Sequence, residues 1–252
     1  MIELSSEQIA HYRRYGFLVV PDLLTAAEVQ AFVDHEASGN AKSGLGLRAH
    51  VEDPMRGYVA RHPNVAGVAG QLLGATPCIV QSMYLAKYAG RSPEDAQGIS
   101  LHQDQRYLPT EPETLMACWV ALSDTDPGNG GLCVVPGSHQ DPLRDTHQAA
   151  SAEHRSWRKN YEMRDRDGKE WIQEMYSFEV DDVDSLDIRR LTVPSGSGVF
   201  FTGMTVHGSY ANKSADRDRL AFAVHYVREG TWVYRCDVQD TVSVGEYSEP
   251  IC

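Results

Sequence analysis

Cysteine, clustered basic residues and long apolar runs are all scarce in this chain of 252 residues. Its five cysteines form no Cys-x-x-Cys pair and no plausible framework of bridges, so we expect reduced thiols. Lys and Arg number 23 against 35 Asp and Glu, which gives a formal net charge of -12, and the basic residues form no cluster. Binding to a phosphate backbone depends on such clusters, so we do not expect a nucleic-acid partner.

Membrane and export signals are also missing. No apolar stretch approaches the length of a membrane span, and the first residues have neither a basic start nor an apolar run. We therefore expect no membrane association, no secretory signal and a cytoplasmic location. Hydrophobic residues make up 42% of the chain, and at this length they predict a core for one domain over residues 1–252.

Local patterns predict two helices followed by many strands. Ser5 with Gln8, and Thr25 with Glu28, have the spacing of capping boxes and predict helices over about 7–15 and 26–37, with a strand between them. Further strands are predicted near residues 79–88, 114–122, 131–135, 198–201 and 220–227. This order predicts a mainly β fold with flanking helices, a double-stranded β-helix of the jelly-roll or cupin-like kind.

Two histidines and one aspartate form a candidate metal site. His102 and Asp104 are two positions apart, so in an extended strand their side chains point to the same face. His207 lies in another strand-like run and can supply a third ligand. Two imidazoles and one carboxylate leave three coordination positions open on iron, enough for a cosubstrate and dioxygen. The pattern predicts a ferrous site and oxidation chemistry.

The strand predicted near 220–227 has one bulky face and one roomy face. The roomy face begins with Arg219 and continues with alanines, which leaves space for an anion that the guanidinium can bind with two parallel hydrogen bonds. The distal end of a dicarboxylate fits there. Arg217 is the rival for this role, because it shares the face if the strand is unbroken. Trp119 lies between small residues, which suits either packing or contact with a cosubstrate.

Two other histidines are not expected to bind the metal. His139 follows a Pro-Gly turn, where a histidine commonly bonds backbone groups. His225 shares the Arg219 face and is expected to pack beside the site.

Four motifs occur in an order that resembles the phytanoyl-CoA dioxygenase family of iron(II)- and 2-oxoglutarate-dependent oxygenases. They extend over nearly the whole chain: residues 9–20, His102-Gln103-Asp104 with Tyr107 and Pro109, residues 129–139, and His207-Gly208-Ser209 with Arg219. The resemblance implies that His102, Asp104 and His207 bind iron and that Arg219 pairs with the far carboxylate of 2-oxoglutarate. It also implies that Met83, Trp119 and Ser209 line the cosubstrate pocket.

The same resemblance implies a reaction. A C–H bond of a small-molecule metabolite would be hydroxylated or further oxidised, with dioxygen consumed and succinate and carbon dioxide released. Gln103, Arg106 and Tyr107 are candidate substrate contacts because they adjoin the metal motif. Loop 89–100 and the charged insert 140–190 are expected to face the substrate. The aromatic residues of the insert fit either an amphipathic lid or the packed stripe of a solvated helix.

Two alternatives belong to other functional classes. A zinc hydrolase or isomerase could use the same three ligands with a metal-bound water, although it gives Arg219 no role. A cupin-like binding module without turnover would not consume 2-oxoglutarate.

Overall fold

The computed structural model describes residues 1–39, 46–90 and 95–246. Residues 91–94 of the predicted substrate-facing loop lie outside the described residues, as does Cys252. The helices are α1 Ser6–Tyr15, α2 Ala26–Ala37, α3 Ala49–Glu52, α4 Pro54–Arg61 and α5 Pro63–Leu73. Short 3-10 turns cover 104–106, 138–140, 236–238 and 244–246. Within the described ranges, no helix has both the length and the apolar character needed to cross a bilayer.

Sixteen short strands are assigned in the described residues. In chain order they are β1 Phe17–Val20, β2 Pro77–Lys87, β3 Ile99–His102, β4 Thr110–Glu111, β5 Met116–Ala121, β6 Leu132–Val134, β7 Thr146–Gln148 and β8 Arg158–Arg164. They continue with β9 Glu170–Tyr176, β10 Phe178–Val180, β11 Arg189–Arg190, β12 Gly198–Thr202, β13 His207–Ser209, β14 Arg219–Arg228, β15 Trp232–Val233 and β16 Val242–Ser243.

The first two helices begin where their capping boxes predict. The Ser5 hydroxyl accepts from the Gln8 backbone N–H while the Gln8 side chain accepts from the Ser5 N–H, and Thr25 and Glu28 repeat the arrangement. These bonds satisfy N–H groups that a helix leaves unpaired at its start. Helix α1 ends at Gly16, whose φ of 78° is a left-handed conformation that glycine adopts without a Cβ clash. Both predicted helices, and the strand between them, are confirmed.

Two antiparallel sheets face each other. One has the strand order β1-β12-β5-β14-β2-β16, and the other has the order β11-β6-β13-β3. Side chains from both sheets, among them Trp119, Val134 and Ala221, form one buried cluster between them. The sheets do not close into a barrel. The predicted fold class, mainly β in a jelly roll with flanking helices, is confirmed.

Strand β14 separates the two layers of the core as its alternation predicts. Phe222, Val224 and Tyr226 are fully buried against helices that include α2, α4 and α5. Burying each such side chain contributes about 1.5–3 kcal/mol. Ala221 and Ala223 point instead between the sheets, beside Trp119. The large sheet is therefore anchored on its helical side and keeps space on its inner side.

The insert 140–190 contains β7 to β11 and no α-helix, so the helical alternative is wrong. Strands β8 and β9 pair residue by residue around a turn that contains Gly168 at a φ of 84°. Met163 and Met175 are the buried members of these strands. They join Phe178 in a cluster against which Tyr107 and several aromatic residues of the insert pack. The hairpin is therefore attached beside the metal motif.

Candidate metal centre and anion pocket

The four-stranded sheet β11-β6-β13-β3, which we call the inner sheet, brings the three predicted metal ligands together. His207 of β13 is the antiparallel partner of His102 of β3, and Asp104 begins the 3-10 turn that follows β3. Asp104 Oδ1 lies 3.4 Å from His102 Nε2 and 3.8 Å from His207 Nε2. One ligand atom from each residue lies within 4.8 Å of the others, and all three residues are buried. Strand pairing thus unites groups that are a hundred residues apart.

Backbone carbonyls orient both imidazoles. His102 Nδ1 lies 2.8 Å from the Ser100 carbonyl oxygen, and His207 Nδ1 lies 3.0 Å from that of Thr205. A carbonyl only accepts, so each Nδ1 carries the proton and each Nε2 keeps its lone pair for a metal. Burial, with repulsion from His102, lowers the pKa of His207 to about 4, so its ring is neutral at pH 7. Two imidazoles that present Nε2 and one carboxylate fit a divalent iron.

The Asp104 carboxylate is held by a histidine from the large sheet. His225 Nε2 lies 3.0 Å from Asp104 Oδ2, and His225 Nδ1 lies 3.4 Å from the Gln81 amide nitrogen. Burial raises the pKa of Asp104, but His207, His225 and its hydrogen bonds outweigh this effect and hold the pKa well below its usual range. The ionised carboxylate therefore keeps Oδ1 available. His225 packs beside the metal ligands, as the sequence predicts.

Arg219 is the first residue of β14 and lies on its roomy face. The side chain is buried, its Nη1 donates to the Leu85 carbonyl oxygen at 3.0 Å, and its Cζ lies 5.9 Å from the centroid of the Trp119 ring. Its Nε has no partner among the described residues. Burial, with repulsion from Arg155, lowers the pKa of Arg219 to about 9, so the guanidinium keeps its charge at neutral pH. A buried guanidinium with an unused donor is suited to an anion.

The rival arginine has a different environment. Arg217 precedes β14 and lies in the loop rather than on the strand. Its Nη1 and Nη2 lie 2.6 and 3.3 Å from the carboxylate oxygens of Asp126, and 49% of its side chain is exposed. Of the two arginines, only Arg219 faces the space between the sheets.

Three further residues of the predicted cosubstrate pocket lie on strands of both sheets, Met83 on β2 and Trp119 on β5 of one sheet and Ser209 on β13 of the other. Met83 and Trp119 are the partners of Ala223 on its two sides, so the small alanine separates two large side chains. Ser209 is the last residue of β13, two positions after His207, and is buried. The structure thus brings Met83, Trp119 and Ser209 to the same interior as Arg219.

Sequence reasoning missed Lys87, the last residue of β2. Lys87 is the antiparallel partner of Arg219, and its Nζ donates to Ser209 Oγ at 2.8 Å and to the Tyr210 carbonyl oxygen at 2.6 Å. Only 4% of Lys87 is exposed. One signal was present, because Lys87 is four positions after Met83 and therefore on the same face of the strand.

The three candidate substrate contacts differ in their hydrogen-bond partners and in whether they border a cavity. The Gln103 side chain donates to the Met204 carbonyl oxygen and accepts from the Arg144 N–H, so both ends of its amide hold the chain in place. The Tyr107 ring packs edge-on against His102, and its hydroxyl accepts from the Phe178 N–H at 2.7 Å. Arg106 donates to the Arg144 carbonyl oxygen. Arg106 also borders a cavity of about 800 Å³ between the metal motif and the hairpin β8–β9.

His139 lies outside the metal cluster, as expected. Its Nε2 is 3.0 Å from the Arg13 carbonyl oxygen, so it joins the turn after β6 to the end of α1.

Two imidazoles and a carboxylate that converge between the sheets of a jelly roll define a class, the non-haem metal-dependent enzymes of this fold. Comparison with known proteins also identifies the family. A family model described as phytanoyl-CoA dioxygenase matches residues 33–221, and the chain belongs to that family. Its members are iron- and 2-oxoglutarate-dependent oxygenases, so the family resemblance inferred from the motifs is confirmed.

Two curated relatives indicate the range of the family. The chain is 30% identical over 191 residues to phytanoyl-CoA dioxygenase domain-containing protein 1 of Danio rerio, which covers 75% of this chain and 58% of that protein. It is 27% identical over 250 residues to ectoine dioxygenase of Bordetella parapertussis, which covers 90% of this chain and 77% of the relative. The chain thus spans little more than half of the first relative's length.

Solved structures share the fold. The epimerase SnoN, crystallised with Fe3+, alpha ketoglutarate and nogalamycin RO, superposes with a TM-score of 0.69 at 23% identity, over 98% of this chain and 92% of that one. EctD from S. alaskensis, crystallised with 2-oxoglutarate and 5-hydroxyectoine, superposes with a TM-score of 0.63 at 20% identity, over 89% and 76%. At these identities the likeness shows the fold alone.

Proposed function

We propose that the chain is an iron(II)- and 2-oxoglutarate-dependent dioxygenase that hydroxylates, or further oxidises, a C–H bond of a small-molecule metabolite. The observation that carries the proposal is the buried convergence of His102, Asp104 and His207, with Arg219 buried on the same interior side. Membership of the phytanoyl-CoA dioxygenase family supports the reaction class. The names of the relatives, which include an ectoine dioxygenase, support a small-molecule substrate.

His102 Nε2, Asp104 Oδ1 and His207 Nε2 would hold the iron. When bound with 2-oxoglutarate and dioxygen, the iron supplies the oxidising power for the C–H bond, while the cosubstrate is converted to succinate and carbon dioxide. The three ligand residues are between 5% and 7% exposed, so bulk water has little access to the atoms that would hold the iron. The carbonyl oxygens of Ser100 and Thr205 keep the two imidazoles in the metal-binding tautomer.

The distal carboxylate of 2-oxoglutarate would bind Arg219, with Ser209 beside it and Met83 and Trp119 as the apolar walls. The unused Nε donor of Arg219 supports this assignment. A zinc hydrolase would leave the same buried cation without an anion, which favours the oxygenase.

The chain would act as one catalytic domain over 1–252, with the insert 140–190 covering the substrate. The packing of the hairpin β8–β9 on Tyr107 supports this role for the insert. Arg106 would contact the substrate because it borders the cavity between the metal motif and the hairpin. Gln103 and Tyr107 would position the insert through their bonds to Arg144 and Phe178.

Anaerobic titration with Fe(II) and 2-oxoglutarate tests the proposal. The wild-type protein should develop the weak visible charge-transfer band of an iron-chelated keto acid. Asp104→Ala should abolish the band by removing a ligand, and Arg219→Ala should shift its appearance to higher 2-oxoglutarate concentrations. With air admitted, the wild type should form succinate.

Arg217→Ala is the matched control, because it removes the same charge two positions away. It should give the wild-type titration, since Arg217 pairs with Asp126 at the surface. Loss of the band in Arg217→Ala with retention in Arg219→Ala would reverse the assignment of the clamp. A wild type that gives no band and binds zinc tightly instead would contradict the oxygenase.

A further inference from the structure

The cavity of about 800 Å³ beside the metal motif is lined by three side chains to which the reaction gives no role, Glu113, Trp171 and Tyr234. Strands β4 and β15 are antiparallel partners, so Tyr234, directly after β15, lies close to the turn that carries Glu113. Trp171 reaches the cavity from the hairpin β8–β9. The two residues that follow Asp104 in its 3-10 turn line the same cavity, which therefore adjoins the metal site. Cavities of this volume commonly hold small molecules.

The two aromatic rings form a surface suited to a cation. The ring centroids of Trp171 and Tyr234 lie 6.0 Å apart, and both side chains are half-buried. The Tyr234 hydroxyl donates to Glu111 Oε2 at 2.6 Å, and this bond is the main reason why the pKa of Tyr234 is raised. A phenol that donates to a carboxylate is more electron-rich, which strengthens the attraction of its ring face for a positive charge.

Glu113 adds a negative charge that no group of the protein neutralises. Its carboxylate has no hydrogen bond or ion pair within residues 1–39, 46–90 and 95–246. Glu174, which lines the same cavity, is instead paired with Arg158 at 2.8 Å. The charged residues described in the lining are three carboxylates and one guanidinium. A ligand that carries phosphate groups would be repelled here, whereas a cation would be attracted.

The arginine beside the rings is bound elsewhere. Arg166 acts electrostatically on Tyr234, but its guanidinium donates to the carbonyl oxygens of Glu111 and Gly230 and lies over the ring of Trp232. The faces of Trp171 and Tyr234 that border the cavity are therefore not covered by this cation.

We propose that Glu113, Trp171 and Tyr234 form a recognition subsite for a positively charged nitrogen on the substrate, an amine or a quaternary ammonium. This inference rests on the proposed function, which supplies the oxidation. The cation binds against the ring faces, and the Glu113 carboxylate neutralises it. The C–H bond to be oxidised belongs to the remainder of the molecule, which extends from the cavity towards the metal.

Two probes of the same shape test the subsite without knowledge of the substrate. Choline carries a quaternary nitrogen, and 3,3-dimethyl-1-butanol has an uncharged carbon in its place. Isothermal titration calorimetry with protein loaded with Mn(II) and 2-oxoglutarate should give a preference for choline of about 2- to 30-fold, the range of a cation–π contact. The anion 3,3-dimethylbutanoate should bind more weakly than either.

Three variants locate the preference. Glu113→Gln keeps the shape and should reduce the preference for choline by about 2- to 5-fold, as for an exposed ion pair. Trp171→Leu should remove most of it. Glu174→Gln is the matched control, because this carboxylate is already paired with Arg158, and it should change the preference by less than about twofold. Melting temperatures check that Trp171→Leu is folded, and the exposed Glu113 keeps the test independent of that variant.

Line broadening links the subsite to the metal. The methyl resonance of choline should broaden more with Mn(II)-loaded than with Zn(II)-loaded protein, because Mn(II) is paramagnetic. Equal line widths would place the bound cation away from the metal and overturn its role in substrate recognition.

The failures are distinguishable. If the protein gives no charge-transfer band with Fe(II) and 2-oxoglutarate, the proposed function is wrong. If it gives the band but binds neither probe, binds both equally, or keeps its preference in Glu113→Gln and Trp171→Leu, the cation subsite is wrong.

Discussion

His225 Nε2 lies 3.0 Å from Asp104 Oδ2, on the carboxylate oxygen opposite the one that faces His102 and His207. Asp104 follows β3 of the inner sheet and His225 lies on β14 of the large sheet, so this contact joins the two sheets at the metal site. The donor and acceptor of this hydrogen bond are fixed, because a carboxylate accepts and the imidazole N–H must donate. The donated bond holds Asp104 with Oδ1 turned towards the two histidines.

Removing this donor should weaken metal binding. His225→Phe is expected to reduce the affinity for a divalent metal by about 10- to 100-fold, the effect usual for residues that orient a ligand. Competition with a chromogenic chelator, using Co(II), measures the change. His225→Gln, which restores a donor, should recover part of the affinity. The control His147→Phe, at an exposed position, should bind the metal with wild-type affinity. A folded His225→Phe protein with unchanged affinity would rule out the positioning role.

The lowered pKa of Glu28 predicts how the free energy of unfolding depends on pH. Partial burial raises the pKa of Glu28, but hydrogen bonds from Tyr58 and Thr25, with the charge of His62, lower it by more, to about 2 from 4.5. A carboxylate whose pKa is lower in the folded state than in the unfolded state stabilises the protein at pH values above its unfolded-state pKa. This stabilisation is lost as the pH falls through the folded-state pKa.

The free-energy difference between wild type and Glu28→Gln should therefore be constant above about pH 5.5 and shrink between about pH 4.5 and 2. Urea unfolding at a series of pH values measures it. Glu7→Gln, on the exposed start of α1, serves as the control for removing one carboxylate from a helix start. A Glu28→Gln difference that stays the same down to pH 2 would contradict the depressed pKa.

The parts of the fold that could be predicted depend on short-range information. The capping boxes at Ser5 and Thr25 are closed by residues three positions away, and the two faces of β14 follow from strict alternation over eight residues. The metal cluster could be predicted for a similar reason, because the spacing of His102 and Asp104 determines which way both side chains point.

The missed features depend on distant contacts. Lys87 ends a strand, where a lysine is usually exposed, and it is buried because Ser209, 122 positions later, lies over it. The hairpin β8–β9 was hidden because charged residues surround its aromatic side chains, a pattern equally suited to a helix surface. The packing of Tyr107 on Phe178, across 71 positions, gives the insert its place.

Tyr107→Phe should loosen the insert. The Phe178 N–H donates to the Tyr107 hydroxyl at 2.7 Å, and losing this acceptor leaves a buried donor unpaired, at a cost of about 1–3 kcal/mol. Hydrogen exchange at Phe178 and urea unfolding measure the local and global effects. Tyr176→Phe removes a hydroxyl from the ring that packs 4.4 Å from Phe178 and should change stability by less than about 0.5 kcal/mol. Equal effects in the two variants would mean that the hydroxyl bond is unimportant.

Gly98→Ala should disturb both the insert and the cosubstrate pocket. A Cβ at Gly98 would lie 2.4 Å from the Ser209 carbonyl oxygen and 3.1 Å from the Ala211 nitrogen, both backbone atoms that cannot move independently. Gly98 also bonds through its backbone to Glu153 and Arg155, so any shift is transmitted to the insert. We expect a loss of about 1–3 kcal/mol in unfolding free energy, as for other overpacked sites, together with weaker 2-oxoglutarate binding.

Gly70→Ala provides a control of opposite sign. Gly70 lies inside α5, and its added Cβ would meet its neighbours at 3.5 Å or more, which is ordinary van der Waals contact. Alanine there should stabilise the protein by up to about 1 kcal/mol, because glycine is the poorer helix former. Chemical unfolding of both variants measures the contrast. If Gly98→Ala were as stable as wild type and bound 2-oxoglutarate equally well, the close approach of residue 98 to β13 would have no role in shaping the pocket.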